Sequence, residues 1–569
     1  MTDGGSGDGS SAPVRVHLDG DPFAGAARRI AAELADETVA SRLADGDPSA
    51  VPDGHAADHA ADPSVWGPTA VGRLGWVDLP RGSRALVGQI EALRSSFTAA
   101  GAHRVLLVAG PAVAAGARAL AERTGARLTV LDGPDPVQVG EALAGELAET
   151  VLVVADAGGD DAVVAAVHRV VAEALADDLA STDGADDDPA ARATLAGRTV
   201  YLTEPGSPLD ERGRADGSVV VTVDSDVPQR FSALGPFGLV PAGLAGADTG
   251  RIVASALAAQ PDLTDDTPDN PALLLAGALV AARGSVLVLR GAEDEPGAAA
   301  WIAQLVSGAG GPLVLTTDDD DLDDLVAPAD RVAVDGPGTD RGDPHDTVPA
   351  VVEVQGTGGG PGVRVTADPG ARTLLWQVAV AVAARRLGTD PYPEPPDVAD
   401  PGPSEPVVRD GGVEVHANGW LPEVGTVGEA LAELVRRAPV GGHLAVAAWL
   451  DPESDASVAV LRGLLAERTG LPTTFGWAPR CWPGDGQRHL AGSTRPAVHC
   501  HLSGDAPDAV EAPALAELDS LHAAQARSAV AALDERGQPV LRLHLTDRVA
   551  GLVTLARAVQ DLPADTRRH

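Results

Sequence analysis

Lysine is missing altogether from this 569-residue chain, whose 42 basic side chains are all arginine. That excludes Schiff-base chemistry and a phosphate-loop lysine. The simplest source of an arginine-only chain rich in Ala, Gly, Val and Asp is a biased genome composition. Cysteine is nearly absent, Cys481 and Cys500 being too few for a disulfide framework. Positive charge is scarce against 82 acidic residues, and the net charge of −40 repels phosphate backbones and anionic lipid surfaces. Neither nucleic acid nor a membrane surface is therefore an expected partner. Long apolar runs are lacking as well: segments such as Leu273–Ala282 fall short of the roughly 18 residues that a membrane helix requires. Met1–Ala12 has neither a basic start nor an apolar core for export, so a cytoplasmic location is expected.

What is present is a strand–loop–helix rhythm. Short β-branched runs at Val105–Val108, Leu128–Leu131, Val151–Val154, Val200–Thr203 and Val219–Val223 alternate with Ala-rich helical stretches. Such a pattern predicts a parallel sheet covered on both faces. A second α/β unit follows, with strands at Val286–Leu289 and Leu313–Leu315 and a long helix over Thr373–Leu387. Further strands are expected at Leu444–Trp449, Ala497–Leu502 and Val540–Leu545. At this length one core is not enough. The organisation read from these signals is an N-terminal tail and helix over 1–65 and a first α/β domain over 66–255. A second domain covers 256–480, including a Pro-rich extended segment at 391–412, and a C-terminal segment covers 481–569. The fold class is α/β, with doubly wound parallel sheets flanked by helices.

One stretch is too particular to be generic core. Arg230-Phe231-Ser232-Ala233-Leu234-Gly235-Pro236-Phe237-Gly238-Leu239-Val240-Pro241-Ala242-Gly243-Leu244-Ala245-Gly246 resembles a segment of the actinobacterial-type glucose-6-phosphate isomerases. Further pieces in the same order are Leu374-Leu375-Trp376, Thr474-Phe475-Gly476-Trp477-Ala478-Pro479-Arg480, Gly486-Gln487-Arg488-His489 and Gly537 to Asp547. The resemblance implies two sugar-isomerase domains, a homodimer, a sugar-phosphate substrate and no cofactor. It also implies catalytic roles for Arg230, His489 and Gln487, and substrate contacts at Gly110, Ala112, Gly158, Gly159 and Ser232.

Aldose–ketose isomerisation needs a carboxylate to move a proton between C1 and C2, a ring-opening acid and base, a cation near the enediolate and an anion seat for the phosphate. Several of these parts are missing. The first phosphate loop of the resembled family carries hydroxyls, and here it reads Gly110-Pro111-Ala112. Pro111 also removes a backbone donor. The second reads Ala155-Asp156-Ala157-Gly158-Gly159-Asp160. Two carboxylates within about 4–6 Å of a phosphate would each cost on the order of a few kcal/mol at an effective dielectric near 20. The family's base follows a W-x-x-Q-L helix, and that position falls on Gly308 after Trp301–Leu305. Glu293, Asp294 and Glu295 lie before this helix, and Glu204 or Glu394 would be candidates for a replacement base. The expectation is a member of that family with weak or absent activity, the alternative to a working isomerase being an inactive binding or regulatory paralogue.

Other candidates carry less. Asp183 and Asp186–Asp188, and the run Asp318–Asp324, read as solvated charge, the latter lacking the glycine and spaced glutamate of a calcium loop. His499 and His501 alternate on a strand and would need a third ligand such as His544 to hold a metal, so a solvent-facing or hydrogen-bonded pair is expected and no metal site. Gly356–Gly360 resembles a phosphate cradle only in glycine content and reads as a turn.

Overall fold

The computed structural model describes residues 13–44, 73–122, 128–180, 189–290, 294–316, 331–335 as backbone, 362–393, 398–491, 495–506 and 513–563. Asp183, Asp186–Asp188, Glu293, Asp318–Asp324, Gly356–Gly360 and Glu394 lie outside the described residues.

Three sheets organise the described residues. Strand β1 (Arg15–Asp19) precedes the first sheet in sequence but does not join it. That sheet consists of β2 (Arg104–Ala109), β3 (Leu128–Leu131), β4 (Thr150–Ala155), β5 (Thr199–Thr203) and β6 (Val219–Thr222), ordered β3-β2-β4-β5-β6 and parallel throughout. Its central strands β4 and β5 are buried along their whole length, as an apolar run between two helical layers requires.

The second sheet contains β7 (Val286–Arg290), β8 (Leu313–Thr316), β9 (Arg331–Asp335) and β10 (Gly362–Thr366), closed on one side by β1. Here β1 runs antiparallel to β10, with Arg15 opposite Thr366. The N-terminal segment thus contributes a strand where the sequence suggested only tail and helix. Its alternation is short and polar, which made it illegible as a strand. The third sheet takes β11 (Val408–Asp410), β12 (Val413–His416), β13 (His443–Trp449), β14 (Thr473–Trp477), β15 (Ala497–Gly504) and β16 (Val540–Leu545), ordered β11-β12-β16-β15-β13-β14. It draws strands from both sides of residue 480, and β11 forms within the Pro-rich segment. The fold class read from the sequence, α/β with parallel sheets flanked by helices, is the one observed.

The first two sheets share one core. Val105 and Leu107 of β2 belong to the same apolar cluster as Leu287 of β7 and Trp376 of the helix Pro369–Leu387. The third sheet has its own core, from Val413 through Leu555. Helix Pro369–Leu387 is buried on nearly every face, packed against helices Thr249–Leu263 and Pro271–Ala281. Close approach there depends on Gly370, where a Cβ would meet the Ile252 carbonyl oxygen at 1.8 Å. Gly370→Ala is expected to destabilise by about 2 kcal/mol through forced backbone displacement, read as a lowered midpoint in thermal denaturation. An unchanged midpoint would mean that the helices separate without cost. Among the described residues, no helix is long and apolar enough to cross a membrane.

Candidate functional site

Arg230 lies on a short 3-10 turn, Gln229–Phe231, ahead of helix Pro236–Ala245. The turn is fixed by its neighbour: Phe231 packs between Trp76 and Tyr392, at ring centroid distances of 4.9 and 5.0 Å, and its carbonyl accepts a 2.7 Å hydrogen bond from Gln377 Nε2. Ser232 Oγ donates back to the Gln229 carbonyl at 2.6 Å and is therefore committed to the turn. The Arg230 guanidinium is buried. Its Nη1 donates to the Pro483 carbonyl at 2.7 Å and its Nη2 to the Pro391 carbonyl at 3.2 Å. Burial pulls its pKa down to about 10, against a smaller opposing pull from Asp390, so it stays a cation.

Gly308 comes to this same place. A Cβ built on it would stand 2.1 Å from Arg230 Nη1, 2.7 Å from Cζ and 2.9 Å from the Pro483 oxygen. The guanidinium therefore occupies the volume that a side chain at 308 would need. From the other side, the turn Trp482–Gly486 rests on helix Pro296–Gly308, with Gly484 so close that a Cβ would be 2.7 Å from the Gln304 Cα. Backbone packed on backbone closes the space between the arginine and the C-terminal segment.

The two loops expected to hold a phosphate differ from one another. Gly110 caps helix Pro111–Ala121 with no side-chain partner, a Cβ there meets nothing, and Ala112 is half-buried beside it. In the loop after β4 the seat is filled from within. Asp156 is buried and accepts the Asp161 N–H at 2.9 Å and the Gly159 N–H, while Asp161 Oδ1 caps helix Ala162–Leu179 through the N–H groups of Val163 and Val164. Burial raises the Asp156 pKa, and those N–H groups partly offset it. The expectation that Asp156 is a charge aimed at the cleft is thus corrected: the carboxylate folds back onto its own loop, where it accepts the Asp161 and Gly159 N–H groups. Asp160 Oδ1 stays close to Gly158, 2.6 Å from where a Cβ would be, and Gly159 takes φ +71°, which glycine tolerates best. Glu204 donates its N–H to the Ala157 carbonyl at the edge of this loop.

Gln487 and His489 sit on helix Gln487–Ala491, and both are buried. His489 stacks on His443 at 5.3 Å and meets His499 edge-on at 4.5 Å. Gln538 ties the group together, its Nε2 donating to the His489 carbonyl at 2.8 Å and its Oε1 lying 2.5 Å from His499 Nε2. Burial first, then His499, His443 and Arg488, hold the His489 pKa well below its ordinary value. A neutral imidazole results. The adjacent Arg488 is buried and donates to the Gly311 carbonyl at 2.5 Å, clamping this helix to the loop after Gly308. Sequence alone does not reveal His443 or Arg488: His443 opens a strand with no motif around it, and Arg488 stands between Gln487 and His489 with nothing in the pattern to distinguish it from a solvated arginine.

His499 and His501 are buried, which excludes the solvent-facing alternative. His501 Nδ1 accepts from Trp449 Nε1 at 3.3 Å. His544 is engaged elsewhere, with Ser503 at 3.1 Å and Asp505 at 3.0 Å. Among the described residues, no group of three or more His, Cys, Asp or Glu is placed to hold a metal ion.

Over 192 residues, 33% of its length, the chain is 34% identical to the probable glucose-6-phosphate isomerase of Haloarcula marismortui and 29% identical to that of Haloquadratum walsbyi. The match covers 41% and 42% of those proteins, so the chain spans about two fifths of the length of these curated relatives. No protein-family model matches. Among solved structures, a hypothetical protein from Thermus thermophilus superposes with a TM-score of 0.50 at 18% identity, over 66% of this chain and 95% of its own. A glucose-6-phosphate isomerase from Chlamydia trachomatis superposes with a TM-score of 0.45 at 15% identity, over 55% of this chain and 71% of its own. By fold the chain is therefore a mixed α/β protein of parallel sheets between helices, and by sequence, across one third of its length, it is related to probable glucose-6-phosphate isomerases.

Proposed function

We propose that this protein is a divergent glucose-6-phosphate isomerase family member that has lost aldose–ketose isomerisation and serves as a binding or regulatory protein in sugar-phosphate metabolism. One observation carries the reading: Gly308 stands where the family's base is expected, and the buried Arg230 guanidinium fills the space a carboxylate would need. Without an acceptor between C1 and C2, no enediolate forms. Two further features support it. The amides of the loop after β4 are spent on Asp156 and Asp161, and His489 is a neutral, buried imidazole packed among other imidazoles. A homodimer is part of the same proposal.

Purified protein incubated with fructose 6-phosphate is expected to form no glucose 6-phosphate above the enzyme-free blank, followed by a coupled dehydrogenase assay. A second reading has one observation in its favour. Asp390 lies close enough to Arg230 to oppose the fall of its pKa, and its Oδ1 accepts the Tyr392 N–H at 2.8 Å. If turnover is seen and Asp390→Asn abolishes it, the protein is a working isomerase with a relocated base.

A further inference from the structure

A cleft of about 860 Å³ opens where the edge strands of all three sheets converge, with β3, β8 and β14 each contributing to its wall. Neither Arg230 nor His489 lines it, although Gln304 and Asp485 on its wall adjoin their region. Its size is at the upper end of small-molecule sites. Two features of the wall point to a ligand.

The first is a pair of oriented guanidiniums. Asp132, just past the end of β3, is 2% exposed and accepts from Arg118 Nη1 at 2.5 Å and from Arg480 Nε at 3.1 Å. Arg480 Nη2 also donates to Gln138 Oε1 at 2.9 Å. Burial works to raise the Asp132 pKa, and the two arginines overcome it, holding the value at about 2. The carboxylate thus stays charged at neutral pH and locks both guanidiniums in place. They remain 25% and 32% exposed, with donors left for a ligand in the cleft. Two guanidiniums share this one carboxylate, which leaves the pair itself with a surplus positive charge although the rest of the wall is acidic.

The second is an aromatic pair on the neighbouring edge strand. Phe475 and Trp477 lie on one face of β14, half-buried, with ring centroids 5.1 Å apart and nearly perpendicular planes. Five carboxylates also reach the wall, those of Glu122, Glu141, Asp451, Glu453 and Asp485, and three of them accept from protein donors, Glu141 from the Ser454 hydroxyl at 3.1 Å. Glu122 accepts the N–H groups of Gly297 and Ala298, and Asp451 accepts those of Glu453 and Ser454.

We infer that this cleft binds a mononucleotide, its phosphate on the Arg118–Arg480 pair and its base against Phe475 and Trp477. The inference stands whether or not the isomerase activity is lost, because it uses none of those residues.

The test is calorimetric titration of the full-length protein with AMP, with inorganic phosphate and fructose 6-phosphate as parallel probes. Saturable AMP binding that is at least about tenfold tighter than either of the other two is expected, as ring stacking adds to the ionic contact. Trp477→Ala should weaken AMP about tenfold and leave the weak phosphate affinity unchanged. Ala300→Trp, at an exposed cleft-lining position, should abolish AMP binding with the circular-dichroism melt preserved, which keeps the test open if Trp477→Ala does not fold. Absence of AMP binding, AMP binding that survives Ala300→Trp, or fructose 6-phosphate binding as tight as AMP would each overturn the assignment.

Discussion

Gly308→Glu, the substitution that would rebuild the missing base, is expected to yield no isomerase and to destabilise the protein by about 3 kcal/mol. A new Cβ would overlap Arg230 Nη1 at 2.1 Å, so the guanidinium has to leave before the carboxylate can be seated. Leaving abandons the carbonyls of Pro483 and Pro391, both paired with it inside the protein. Steric overlap and two buried unpaired acceptors together set the size of the effect. Arg230→Ala alone should cost about 2 kcal/mol, through the same lost hydrogen bonds and a cavity. The double variant removes the overlap, so its destabilisation should fall short of the sum by about 2 kcal/mol. Urea denaturation of the four proteins measures that coupling. Simple additivity would show that the guanidinium is not the obstacle. Turnover in the single variant would show that only the base had been lost.

The outcome at this position shows how far the sequence could be read. That an acid is missing at Gly308 is legible only through the family resemblance, which implies a base shortly after Trp301–Leu305. That Arg230 fills the resulting space is not, because contact between residues 230 and 308 depends on packing the first two sheets around one core. Parallel strands in the first sheet announced themselves as unbroken β-branched runs, since both faces are buried. β1 and β11 did not: each is a short strand on the outside of its sheet, where one antiparallel neighbour suffices and no long apolar run is required. The sequence places Asp156 in a phosphate-loop position but does not show which way its carboxylate turns. It turns inward to accept the Asp161 and Gly159 N–H groups, a pairing that local sequence does not show. The imidazole group was similarly scattered, over residues 443, 489, 499 and 501, and only the order of β13, β15 and β16 in the third sheet assembles it.

That assembly makes the protein sensitive to acid. Burial lowers the His499 pKa to about 4 and that of His501 to about 3, the latter with help from His499 and Arg542, while His443 and His489 are also held well below their ordinary value. The folded state therefore binds fewer protons than the unfolded chain, whose histidines titrate near 6.5. Stability is full above about pH 6.5 and falls as the pH drops towards 4. His499 and His501 alone account for a loss of about 5 kcal/mol between neutrality and about pH 4.5, a large part of the stability of an ordinary domain. Asp485 and Asp455 act in the opposite direction, because burial raises their pKa values and the folded state takes up their protons first. Asp132, held at about 2, adds a loss only below about pH 4, where the unfolded carboxylate begins to protonate. Stabilities from urea denaturation between pH 7.5 and 4.5 should stay level to about pH 6.5 and then fall, the contribution of His499 and His501 approaching a slope of about two protons, near 2.8 kcal/mol per pH unit, by about pH 5. His501→Asn should remove about one proton from that slope. A midpoint that stays level from neutrality to about pH 5 would mean that these imidazoles are hydrated in solution, and the closed packing of His489 against His443 and His499 would go with it.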